Sequence, residues 1–169
     1  MKVILLRHGL TIENKFGIIQ GHTEGTLSKE GIIKNNEVSF ELKDKQIDSF
    51  YSSPLFRAKE TLYQILENHK EKQFYFDSRI IEWGMGRLEG KPYPEDFNFY
   101  NYLDCIENIE DVKNKCVSFI DDIKAKHSGQ TILIVSHGLT IRMLESIILK
   151  IDFTQTKLFE NSTYKTFHL

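Results

Sequence analysis

Cysteine is almost missing from this chain: Cys105 and Cys116 are the only two, and their spacing matches no metal-binding pattern. The pair reads as two buried or half-buried thiols in a reducing cytosol, with a disulfide as the alternative. Excess charge is missing as well. A formal net charge of −2 supplies no global attraction to nucleic acid or to an anionic membrane. No apolar run approaches the roughly 20 residues that a transmembrane helix needs. Met1-Lys2-Val3 leads straight into an apolar run ending in Arg7 and His8, which makes a poor signal peptide. The expectation is a cytoplasmic chain of 169 residues, 40% hydrophobic, folding as one globular domain with a real core. Arginine is scarce too, found only at positions 7, 57, 79, 87 and 142. With so few, each one at a strand or helix end needs a reason.

What the chain does have is one phrase used twice. Val3-Ile4-Leu5-Leu6-Arg7-His8-Gly9 opens it, and Ile132-Leu133-Ile134-Val135-Ser136-His137-Gly138 returns near the end. An apolar run cut off by glycine is the pattern of a strand buried on both faces. Ligands bind at the carboxyl ends of strands in open α/β sheets, so two such strands side by side would bring His8 and His137 to one rim.

Between them the pattern alternates strand and helix. Residues 9–27, with Gly17, Gly21 and Gly25, read as an irregular binding loop. Ser28 caps a helix to about Leu42, with Ile32, Ile33 and Phe40 as its thin apolar stripe. Ile47–Ser52 is a short strand, and Ser53-Pro54 starts a helix, hydroxyl cap first and proline at the first turn. That helix carries Ala58, Leu62, Ile65 and Leu66 on one face, with Arg57 in its first turn. Residues 73–76 form a third strand. Residues 91–108 hold two of the three prolines and a dense set of aromatics, read as a small lid-like insertion or as a patch packing on the domain. A helix over 109–126, a strand over 131–136, a helix over 139–149 and a last strand over 163–168 complete the set. The fold expected is α/β: a three-layer sandwich with a mostly parallel central sheet and helices on both faces.

The chemistry that fits such a rim is phosphoryl transfer. It needs a nucleophile, cations for the equatorial oxygens and an acid for the leaving alcohol. Neutral imidazole attacks phosphorus well if one nitrogen is held as a donor, and a carbonyl near a strand-to-glycine corner can hold it. Arg7 and Arg57 offer forked donors that match phosphate oxygens in pairs. Backbone N–H groups at the helix start after His137-Gly138 would add an anion site.

Taken together these residues resemble the histidine phosphatase superfamily, the phosphoglycerate mutase-like group. The resemblance rests on Arg7-His8-Gly9 with Thr11 and Asn14, and on Ser52-Ser53-Pro54-Leu55-Phe56-Arg57-Ala58-Lys59-Glu60-Thr61. Ile80-Ile81-Glu82 with Gly86 and Glu89-Gly90, and then Ser136-His137-Gly138, come next in family order. It implies a phosphoglycerate mutase-like fold, His8 as a nucleophile forming phosphohistidine, and Arg7, Arg57 and His137 holding the phosphoryl group, with Gly138 beside them. Glu82 would be the general acid and then the base, with Asn14, Gln20 and Gly21 lining the pocket. No metal and no cofactor is implied. The chain departs from the pattern at Leu10, where the family often has an acid. It departs again over Glu24-Gly25-Thr26-Leu27-Ser28, where Asp-x-Pro-Leu-Thr is common.

The short segment between Glu82 and His137 resembles the phosphatase branch, because the mutases insert a longer one that cages the substrate. The partner expected is a small phosphorylated metabolite, such as a sugar phosphate, a phosphoglycerate or α-ribazole phosphate. A phosphoglycerate mutase and a non-catalytic phospho-ligand binder are the alternatives, with a metal-dependent hydrolase behind them. Glu89 competes with Glu82 for the acid role. His22 is open between a substrate contact and a solvated loop residue, and His69, His127 and His168 are read as surface residues. The oligomeric state is not legible.

Overall fold

The computed structural model describes residues 1–69 and 72–169. Five strands form one sheet in the order β3-β2-β4-β1-β5. They are β1 (Lys2–Arg7), β2 (Ser49–Ser52), β3 (Gln73–Phe76), β4 (Thr131–Ser136) and β5 (Tyr164–His168). β1, β2 and β3 run parallel to their inner neighbours, and only β5 is antiparallel, against β1. The sheet is therefore mostly parallel, and helices cover both of its faces.

Strand alternation explains the layers. Val3, Leu5, Ile132 and Ile134 point to one face and bury against α4 (Ile109–Lys126) and α5 (Gly138–Leu149). Ile4, Leu6, Leu133 and Val135 point to the other, against α2 (Lys29–Leu42) and α3 (Phe56–Leu66). Each central strand buries both sides, which is why its sequence is a continuous apolar run. α4 keeps the expected face, with Val112, Cys116, Phe119, Ile120 and Ile123 buried. Both cysteines are free, Cys116 buried and Cys105 half-buried.

Four sequence expectations need correction. The stretch 9–27 is not wholly irregular: Thr11 caps a one-turn helix, α1 (Ile12–Lys15), through a capping box with Asn14. The stripe expected on α2 faces water, Ile32, Ile33 and Phe40 being 41%, 60% and 64% exposed. Its buried side is Gly31, Asn35, Val38, Ser39 and Leu42, because Asn35 and Ser39 are satisfied by α3 rather than by solvent. Ser53 does not cap α3, which begins three residues later at Phe56 with Leu55 at the cap position. Instead Glu24 Oε2 accepts the Phe56 N–H at 2.6 Å. Finally, His69 is buried against the Phe50 ring, centroids 5.3 Å apart. His127 is half-buried, its ring bonded to Tyr51 and Gln130.

Candidate active site

β1 and β4 lie side by side in parallel with Arg7 opposite Ser136, so the chain leaves both strands at the same rim. The His8 and His137 rings consequently meet, centroids 5.1 Å apart and planes tilted by 56°. His8 Nδ1 sits 2.8 Å from the Gly9 carbonyl oxygen, which can only accept. Nδ1 therefore carries the proton, and Nε2 keeps a lone pair. His137 Nε2 lies 2.7 Å from the Ser53 hydroxyl, while its Nδ1 is buried without a partner. Burial, then the charges of Arg57 and Arg7, push the His8 pKa well below the ordinary imidazole range; burial followed by Arg57 does the same to His137. Both rings are neutral at pH 7.

The corner at His8 is braced from several directions. Gly9 N–H donates to the Thr61 hydroxyl on α3 at 2.9 Å, and Asn35 of α2 donates to that same hydroxyl at 3.3 Å. Ser162 donates to Asn35, and Asn161 donates to the His8 carbonyl. Gly9 has to be glycine here, since a Cβ would stand 2.5 Å from the Asn35 amide nitrogen.

Two guanidiniums flank the rings. Arg57 donates to the carbonyls of Thr23 and Gly21 at 2.7 and 2.8 Å. Arg7 donates to the Phe159 carbonyl at 2.5 Å. The Nε of each is buried and unpartnered, and among the described residues neither makes a salt bridge. Burial lowers the pKa of both, partly offset by the negative charge of Glu82. Two desolvated cations without a counter-ion are costly unless an anion joins them. Buried guanidinium donors of this kind suit an acceptor-rich anion.

Glu82 supplies the carboxylate. It accepts the Thr140 N–H and hydroxyl, each at 3.2 Å, and the Trp83 N–H at 3.1 Å, at the first turn of α5. Glu89 is turned away, accepting the N–H groups of His22 and Met85. His22 in turn bonds the Glu82 carbonyl at 2.7 Å, so it braces that loop.

A cavity of about 760 Å³ opens over these groups. Arg7, His8, Asn14, Gln20, Gly21, Arg57, Glu82 and Gly138 all line it, while His137 lies fully buried just outside the lining. Its far wall comes from the 91–108 segment. Residues 17–19 pair with 90–93 through Tyr93 N–H to Gly17 O and Ile19 N–H to Lys91 O, both 2.8 Å. Tyr93, Phe97 and Phe99 line the cavity, and Phe97 and Phe99 also pack on the core. Sequence reasoning missed Ser53, Thr61, Asn161 and Arg142. Ser53 and Thr61 lay inside the block that carries the family resemblance, and Arg142 stands one helical turn after Gly138 in a chain poor in arginine.

A model of the histidine phosphatase superfamily (branch 1) matches residues 3–168. The chain belongs to that superfamily. Phosphoserine phosphatase 1 of Hydrogenobacter thermophilus is 29% identical over 184 residues, spanning 100% of this chain and 87% of that one. The crystal structure of a phosphoserine phosphatase from Entamoeba histolytica, in complex with 3-phosphoglyceric acid, superposes with a TM-score of 0.83. It is 29% identical and covers 98% of this chain and 89% of its own. A phosphoglycerate mutase structure from Bacillus anthracis gives a TM-score of 0.84 at 25% identity, covering 98% of this chain and 86% of its own. The fold of this histidine phosphatase is thus phosphoglycerate mutase-like, and its phosphoserine phosphatase relatives support phosphatase activity. Among the described residues no helix is long and apolar enough to cross a membrane.

Proposed function

We propose that this histidine phosphatase hydrolyses a small phosphomonoester without a metal, through a phosphohistidine on His8. The observation that carries the reading is a neutral His8, its Nδ1 held by Gly9, beside two buried arginines whose Nε donors have no partner and which, among the described residues, make no salt bridge. The dianionic phosphoryl group supplies a counter-ion, each charge-assisted bond contributing roughly 1.5–3 kcal/mol.

His8 Nε2 attacks phosphorus while the P–O bond to the alcohol breaks. Glu82, as general acid, gives a proton to the departing oxygen. Water then attacks phosphorus, the P–N bond breaks, and Glu82 takes the proton of that water. Arg7, Arg57 and the N-terminus of α5 at Gly138 hold the equatorial oxygens throughout, with His137 Nδ1–H behind them. Asn14, Gln20 and Gly21 line the same pocket, and the 91–108 segment serves as its lid within a single domain acting in the cytoplasm. The relatives' substrates make O-phosphoserine and 3-phosphoglycerate the first esters to assay.

The test is phosphate release from p-nitrophenyl phosphate. Activity that survives a chelator, falls with vanadate and vanishes in His8→Ala is the expected result. Substantial turnover by His8→Ala removes it as the nucleophile. Mutase products formed from 3-phosphoglycerate in place of free phosphate would move the chain to the phosphotransferase branch.

A further inference from the structure

Arg142 also lines the cavity, and the phosphate chemistry leaves it unused. It sits on α5 four residues after Gly138, so the two share a helix face about one turn, ~5–6 Å, apart. Gly138, Leu139 and Arg142 all line the cavity. Gly138 is the end nearest the phosphoryl site, since a Cβ there would lie 3.5 Å from Arg7 Cζ.

Arg142 is held from behind. Its Nε donates to the Thr156 hydroxyl at 3.1 Å, one Nη donates to the Phe153 carbonyl at 3.3 Å, and the guanidinium lies 4.2 Å from the Phe153 ring centroid. Thr156 and Phe153 are themselves tied by a hydrogen bond, which fixes the support. Among the described residues Arg142 makes no salt bridge, and its second Nη has no hydrogen-bond partner. Around it the wall is apolar and aromatic, with Leu139, Phe97, Phe99 and Leu158. Among the described residues Glu82 is the only carboxylate on the cavity wall. A fixed guanidinium with a spare donor, on a largely apolar wall, selects a second anion rather than a sugar's hydroxyls.

We infer that Arg142 binds a carboxylate on the alcohol side of the ester, so the substrate is the phosphomonoester of a small hydroxy acid. This rests on the phosphatase reading for its first anchor, the phosphoryl group at His8. With one helical turn between Gly138 and Arg142, the carbon skeleton of such a ligand would lie against Leu139 and the aromatic wall. A ligand without that carboxylate still reaches the phosphoryl site but leaves Arg142 unanswered.

Two measurements separate this inference from the reading beneath it. Calorimetry on His8→Ala, which cannot turn over, compares 3-phosphoglycerate with glycerol 3-phosphate, the same length of ester lacking the carboxylate. The expected result is a preference of about tenfold or more for the acid, abolished in His8→Ala/Arg142→Gln and partly kept in His8→Ala/Arg142→Lys. Equal binding of the two ligands, or a preference that survives Arg142→Gln, overturns the inference whether or not the protein is a phosphatase. In the active chain, Arg142→Gln should raise KM for 3-phosphoglycerate or O-phosphoserine about tenfold and leave p-nitrophenyl phosphate kinetics within twofold. An equal loss on all esters would assign Arg142 to structural support of the site. Failure of the unsubstituted chain to hydrolyse p-nitrophenyl phosphate counts against the phosphatase reading alone, since the calorimetry stands without turnover.

Discussion

The two His-Gly corners begin as the same sequence and end as different environments. At the first, the chain leaves β1 into an open loop, and His8 faces the cavity while its Nδ1 is tied to the next carbonyl. At the second, the chain leaves β4 directly into a helix of 12 residues, and His137 is sealed behind the wall with Ser53 on its Nε2. The path of the backbone beyond each glycine decides how each ring is placed. The loop exit leaves His8 on the cavity wall, whereas the helical exit seals His137 behind it and offers backbone N–H groups instead.

The contrast can be broken at the rings themselves. His8→Ala should lower kcat by about 10⁴-fold or more, because no covalent step remains, whereas His137→Ala should cost about 10²-fold, the scale of a lost transition-state donor. Steady-state kinetics on p-nitrophenyl phosphate decide it; comparable losses would erase the distinction between a presented ring and a supporting one. The glycines sharpen it next. Gly9→Ala drives a methyl into the buried Asn35 amide and should destabilise by about 1–3 kcal/mol in urea unfolding. In Gly138→Ala the Cβ crowds only the end of the exposed Leu158 side chain, at 2.8 Å, which can swing aside, and makes ordinary contact with Arg7 at 3.5 Å, so stability should change by less than about 0.5 kcal/mol. A reversed order of the two would show that the first corner is not the tighter one.

Acid probes both corners at once. Each ring holds its proton less well folded than unfolded, so the unfolded chain binds more protons once pH falls below its imidazole value of about 6.5. Stability should hold above that pH and decline below it, with a shallower decline in His8→Asn. Unfolding curves independent of pH between about 7 and 5 would contradict the buried neutral pair. The smallest effect belongs to Ser53→Ala. It should lower kcat by about threefold to tenfold while KM for p-nitrophenyl phosphate stays put, reporting a tautomer no longer fixed. An unchanged kcat would make the Ser53 contact incidental.

How far the sequence reached depends on the kind of contact behind each feature. The central strands and α4 announce themselves because their burial is apolar and periodic, as in Ile132–Val135 and Val112–Ile123. Arg7, His8, Arg57 and His137 were legible as candidates because they sit beside strand ends or helix starts, whereas Glu82, in a loop, was named only from the family resemblance. α2 misled because its inner face is made of Asn35 and Ser39, polar groups whose partners lie at Thr61, Gln64 and Ser162. No local period records a partner that far along the chain. Ser53 looked like a cap for the same reason: its bond to His137 spans 84 positions. Asn161 left no trace at all, being a loop residue whose value comes only from the His8 carbonyl beside it.

β1 touches only β4 and β5 in the sheet, and residues 159–162 grip Arg7, His8 and Asn35. β1 and its corner are therefore framed by segments about 150 residues further along the chain. A chain cut short before residue 159 keeps Thr61, Asn35 and Ser136 around the first His-Gly corner but loses Phe159, Asn161 and Ser162, and its phosphate release should fall sharply.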